Sequence, residues 1–144
     1  FLGECPCRKT IFEHVTCIES FLRHWPEDFD GCQRQYHPND IFGLSIDYQE
    51  IAELKEDSFR DFTSLATLSL AKNRLETINS AFIHLTKLIE LVLTDNNVTF
   101  VYPGAFDALV SAKKISLSGN KKLTNISTRY TYFKQFLFFL GIII

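Results

Sequence analysis

The sequence predicts an α/β repeat solenoid, with short parallel β-strands on a concave face and irregular or 3-10 segments on the convex side. Three observations carry that expectation. Asn73, Asn96 and Asn120 recur at intervals of 23 and 24 residues (96 − 73 and 120 − 96), a period typical of stacked structural units. Each unit contains an alternating apolar pair of the kind a half-buried strand shows. All four cysteines, Cys5, Cys7, Cys17 and Cys32, precede the first unit, so a local cap is stapled while the rest is held by packing.

The units begin at Ile41, Leu65, Leu88 and Ala112, giving three full repeats and one partial repeat over residues 41–127. Their strand pairs are Leu44 and Ile46, Leu68 and Leu70, Leu91 and Leu93, and Ile115 and Leu117. Alternation turns both members into the core and the intervening residues outward. The next column holds Gln49, Asn73, Asn96 and Asn120. An Asn there bonds backbone groups left open where the chain leaves the strand, and identical side chains stack as a ladder. Behind it stand Ile51, Leu75, Val98 and, displaced by one residue, Leu123, followed by Leu54, Ile78, Val101 and Ile126. Phe59, Phe82 and Phe106, then Phe62, Leu85 and Leu109, supply the convex layer. One unit cannot bury this apolar set alone, so stacking is compulsory.

The pattern LxxLxLxxNxL resembles the leucine-rich repeat family, in its extracellular typical subtype, over about residues 41 to 127. The resemblance implies a short horseshoe segment that binds a protein ligand or receptor through its concave face. Gln49 in place of Asn, and a pattern that lapses after Ile126, are the departures. Cys5-Pro6-Cys7 followed by Val15-Thr16-Cys17 is similar to the cysteine cap that precedes such repeats, here residues 1–40, although the interval from Cys17 to Leu44 is long. Pro6-Cys7 and that long approach are also similar to arthropod secreted proteins related to the non-catalytic subunit of the Oplophorus luciferin monooxygenase.

Four cysteines allow three pairings, and a direct Cys5–Cys7 bridge is disfavoured by disulfide geometry. Either Cys5–Cys17 with Cys7–Cys32 or Cys5–Cys32 with Cys7–Cys17 is expected. Cys5, Cys7 and Cys17 with His14 do not have standard zinc spacing, and no orienting motif surrounds a cysteine beside His24 or His37. No metal and no cofactor is therefore expected.

Asn97-Val98-Thr99 and Asn125-Ile126-Ser127 are glycosylation sequons, which join the disulfide cap in pointing to an extracellular, secreted or cell-surface protein. The absence of Met means that Phe1 is not a translation start, so a fragment or a processed chain is expected, with Phe1-Leu2-Gly3 a candidate remnant of a signal peptide. The apolar tail over residues 128–144 ends in the run Phe136–Ile144, too short to span a bilayer. It reads as the opening of a membrane tether continuing beyond the C-terminus, a helix closing the solenoid, or a false end of the reading frame.

A net charge of −2 supplies no field for nucleic acid. Lys113-Lys114 and Lys121-Lys122 are the densest basic groups, and they read as a solvated face. No phosphate loop, nucleophile elbow or zinc-helix motif is present, and the histidines (His84 among them) are dispersed, so catalysis is not expected. The candidate ligand-binding residues are the outward positions of the strands and their exits: Asp47, Tyr48, Thr67, Ser69, Lys72, Glu90, Val92, Thr94, Asp95, Lys114 and Ser116. Gly43, Ser45, Ala71, Ser118 and Gly119 complete the same surface. Lys72 is expected beside Asp95, and Glu90 beside Lys114, with Tyr48 the best single anchor. The alternative functions are a non-catalytic scaffold subunit of a secreted enzyme complex and a structural matrix component.

Overall fold

Three-residue alternation is enough to make a strand here because each strand is buried on one side by the next repeat. In a computed structural model, which describes residues 5, 7–10, 14–17, 22–32 and 35–126, the described residues form nine short strands in two sheets. β1 (Cys7–Lys9) and β2 (His14–Cys17) form an antiparallel pair. β2 then runs parallel to β3 (Gly43–Ser45), followed by β4 (Thr67–Ser69), β6 (Glu90–Val92) and β8 (Lys114–Ser116). The smaller parallel sheet joins β5 (Thr77–Ile78), β7 (Phe100–Val101) and β9 (Asn125–Ile126). Turns and 3-10 segments at Glu27–Cys32, Pro38–Asp40 and Ser80–Phe82 connect the layers. This is a parallel-strand solenoid without a long regular helix among the described residues.

Register follows the sequence columns. Val15, Leu44, Leu68, Leu91 and Ile115 are successive partners in the large sheet, and all are buried. The concave sheet therefore starts at β2, inside the segment assigned to the cap, and Val15-x-Cys17 is its first inward pair.

The ladder expected at Gln49, Asn73, Asn96 and Asn120 is continuous. Asn73 Oδ1 accepts from the backbone N–H groups of Gln49 and Ile51, at 3.0 and 3.1 Å. Its Nδ2 donates to Ile46 O and Leu70 O. Leu70 O also accepts from Asn96, and Leu93 O accepts from both Asn96 and Asn120. Leu70 O and Leu93 O thus each receive two successive side chains, so buried backbone groups are satisfied between repeats.

Behind the strands, Phe59, Phe82 and Phe106 stack with centroids 5.9 and 6.3 Å apart. The stack ends at the cap in an aromatic cluster, where Trp25 packs on Phe29, Phe59 and Phe62 at 5.1 to 5.6 Å. The indole N–H donates to Ser58 O, which removes the cost of burying it. The two disulfides are Cys5–Cys32 and Cys7–Cys17, the second of the two expected arrangements. Cys7 and Cys17 are direct partners in the β1–β2 register, which brings them together. The apolar tail at residues 128–144 lies outside the described residues. Among the described residues no helix is long and apolar enough to cross a membrane.

Candidate functional site

Parallel register places outward side chains of successive repeats in rows. The first row is His14, Gly43, Thr67, Glu90 and Lys114; the second is Thr16, Ser45, Ser69, Val92 and Ser116. Beyond the strands, backbone bonds from Tyr48 to Ala71, Lys72 to Thr94 and Asp95 to Ser118 continue the alignment. Tyr48, Lys72, Asp95 and Gly119 consequently form a rim, and all four are in the left-handed backbone region (φ 59°, 56°, 55° and 80°). That conformation disfavours side chains with a Cβ, by roughly 1–2 kcal/mol per residue, and persists because the adjoining ladder position pins the turn. At Gly119 it also reflects space: an added Cβ would lie 2.1 Å from Asp95 Oδ1.

Each expected contact can be placed. Glu90 and Lys114 form an ion pair at 2.8 Å. Lys72 aligns with Asp95 in the rim, and its hydrogen bond goes to Tyr48. Its ammonium donates to the Tyr48 hydroxyl at 2.6 Å and lies 4.9 Å from the ring centroid, a cation–π contact. The hydroxyl bond holds the Lys72 ammonium above the usual lysine range, with the Asp95 and Asp47 charges adding to the effect. Tyr48 remains 45% exposed. Asp47 is an inter-repeat clamp: its carboxylate accepts from Ser69 Oγ (2.6 Å), Ala71 N–H (2.8 Å) and Ser45 Oγ (3.2 Å).

Two outward positions depart from expectation. Ser116 is only 6% exposed, so it is not an open contact position, unlike its row neighbours Ser69 and Val92. Gly43 is covered by the imidazole of His14. Tyr48, Lys72, Asp95 and Lys114 are exposed, while Thr67, Ser69, Glu90, Val92 and Thr94 are half-buried. The Thr67 hydroxyl is buried and has no hydrogen-bond partner among the described residues.

The sulfurs of Cys5, Cys7 and Cys32 lie within 4.8 Å of one another. They belong to two packed disulfides, no described cysteine is free, and His14 is laid over Gly43, so the group has no thiolate to offer a metal or a substrate. At the joint of cap and first repeat, a cleft of about 390 Å³ is lined by groups of both signs, including Arg23, Glu27, Glu50 and Lys55.

A family model for the leucine rich repeat matches residues 43–91 and 79–121, together more than half of the chain. The chain belongs to the leucine-rich repeat family. It is 28% identical over 114 residues to leucine-rich repeat-containing protein 3B of Homo sapiens, Mus musculus and Bos taurus, covering 78% of this chain. The chain spans 41% of the length of those relatives. Its fold is similar to the crystal structure of human 5T4 (Wnt-activated inhibitory factor 1, Trophoblast glycoprotein), with a TM-score of 0.64 and 22% identity, covering 95% of this chain and 48% of that one.

The leucine-rich repeat surface contains two residues that the sequence columns missed, His14 and Thr16, contributed by the cap strand β2. The signal was present as the Val15-x-Cys17 alternation, but a cysteine in the second inward position disguised it. Asn97 is exposed, at the turn leaving β6. Asn125 opens β9, and its side chain lies outside what the structure describes.

Proposed function

We propose that this chain is an extracellular protein-interaction module whose concave sheet takes a protein ligand, anchored at Tyr48 and Lys72. The single observation that carries this reading is the exposed Tyr48–Lys72 pair on the rim of the sheet. A tyrosine held in place by a cation offers a large, rigid, amphipathic contact at little entropic cost, the profile of an interface hot spot. The Glu90–Lys114 pair at the opposite edge adds a fixed charge pattern that favours one docking orientation. Two disulfides and two sequons support residence outside the cytosol.

The test uses a secreted, tagged form of the chain against displayed extracellular ectodomains. Each binder is then measured against a Tyr48→Ala, Lys72→Ala, Glu90→Ala variant by surface plasmon resonance. Loss of at least about tenfold in affinity is expected, since hot-spot truncations cost about 2 kcal/mol or more. Equal affinity for the variant would remove the concave face from the binding reaction. Recovery of a stable enzyme as the main partner would favour the scaffold-subunit alternative.

A further inference from the structure

The repeat pattern accounts for the buried phenylalanines but not for an aromatic pair on the outside. Phe100 and Tyr102 are 38% and 50% exposed, with rings edge-to-face at 4.9 Å. Their counterparts one repeat earlier are Thr77 and Asn79, so neither the core nor the ladder requires aromatics there. The two rings form one apolar surface on a water-facing strand.

Sheet register supplies a neighbour for that surface. In the β5–β7–β9 sheet, Ile78, Val101 and Ile126 share one register position and Thr77, Phe100 and Asn125 the other. Ile78 and Val101 are buried, whereas Thr77 and Phe100 are exposed. Asn125, the acceptor of the Asn125-Ile126-Ser127 sequon, therefore stands one strand spacing, about 4.8 Å, from Phe100 in the backbone. The other sequon ends at Thr99, immediately before Phe100. Of the two sequons, only that of Asn125 is brought beside Phe100 by sheet register.

We propose that Asn125 carries an N-linked glycan whose first N-acetylglucosamine rests on the Phe100–Tyr102 pair. The amide nitrogen of Asn125 forms a bond to the anomeric carbon of an oligosaccharide carried on a polyprenyl diphosphate. The sugar–phosphate bond breaks, the diphosphate leaves with the electron pair, and one amide proton passes to a base of the secretory-pathway transferase. The pyranose ring then presents its apolar C–H face to the aromatic rings, removing from water the surface that the fold leaves exposed. The proposal rests on the extracellular part of the reading above and not on which face binds a partner.

The full chain is expressed with a secretion leader in glycosylating cells, so passage through the pathway is imposed by the host. Peptide N-glycosidase treatment in heavy-oxygen water, followed by mass spectrometry, should label residue 125 in the native chain and not in Ser127→Ala. In the glycosylated chain the first sugar's ring protons should be shifted upfield by the ring currents. They should return to free-glycan positions in Phe100→Ala/Tyr102→Ala, whose exposed sites leave the core intact. The melting-temperature gap between the glycosylated chain and Ser127→Ala should shrink in that background. An unmodified Asn125 in the secreted native chain, or a modified one with unshifted sugar protons, overturns the proposal; neither result bears on the concave surface.

Discussion

At the joint between cap and first repeat, Gln49, Trp25 and two disulfides do the work that Asn and Phe side chains do between later repeats. The later joints are translational: Asn96 and Asn120 bond the same kinds of groups one repeat apart, and Phe82 stacks on Phe106 nearly face to face at an interplanar angle of 19°. The cap cannot repeat that geometry because its chain arrives by a different route. Gln49 is one methylene longer than Asn, and that length lets Oε1 accept from the Leu22 N–H at 3.0 Å while Nε2 donates to Asp47 O at 2.9 Å. Trp25 and Phe29 replace the single phenylalanine of a repeat, and the cap is bonded to itself through Cys5–Cys32 and Cys7–Cys17. A regular array can therefore be continued by identical contacts, whereas its end needs side chains of a different reach and covalent closure.

The aromatic residues distinguish the two kinds of joint most strongly. Trp25→Ala and Phe82→Ala should each destabilise by about 3–5 kcal/mol, as large core truncations do. Hydrogen exchange resolved by repeat should then separate them. Trp25→Ala should loosen the cap and the first repeat and leave β6 and β8 protected, whereas Phe82→Ala should lower protection on both sides of its repeat. Identical exchange patterns would mean that the cap and the repeats unfold as one unit, and the distinction would fail.

The ladder offers a finer test. Gln49→Asn should leave the Leu22 N–H without its acceptor, and Asn96→Ala should leave the Leu75 N–H without its own. Each orphaned buried donor costs about 1–3 kcal/mol. Urea denaturation should report losses of similar size, but only Gln49→Asn should increase protease sensitivity between residues 22 and 32. A neutral Gln49→Asn would make the longer side chain at the joint incidental.

The smallest effect concerns the exposed ion pair of Glu27 and Lys55, 3.1 Å apart across the joint. A hydrogen bond from its own backbone and then the Lys55 ammonium hold Glu27 below the ordinary glutamate range. A depressed carboxylate contributes its stability above the unfolded pKa and loses it as pH falls through the folded one. The melting-temperature difference between the native chain and Lys55→Ala should therefore be present at neutral pH and vanish in acid below the ordinary glutamate range. High salt should also reduce it, as expected for an exposed pair.

Much of this architecture is legible in the sequence. The ladder and strand columns were readable because each position demands one residue type at a fixed interval. The start of the sheet was not. Val15-x-Cys17 is too short to declare a strand, and the interval to Leu44 exceeds the repeat period. On the surface, Glu90–Lys114 followed from the alignment of adjacent strands, and the structure pairs them. Lys72 is aligned with Asp95 by the same rule, but its hydrogen bond to Tyr48 was not legible, because a long flexible side chain chooses among several neighbours within reach. Tyr48 beside it offered both a hydroxyl and a ring. Ser116 was outward by alternation yet is buried, which the strand pattern alone does not encode.

By itself, then, the sequence determined the repeating frame: the period, the inward pairs, the asparagine ladder and the stapled cap. Those are properties of residue type and spacing along one chain, and stacking makes them obligatory. Tertiary structure decided which distant residues became neighbours: Cys5 with Cys32, Leu22 with Gln49, Lys72 with Tyr48, and Phe100 with Asn125. Each of these depends on the register and reach between different turns of the solenoid. Closing such loops is an outcome of the whole packing, which local pattern constrains but does not specify.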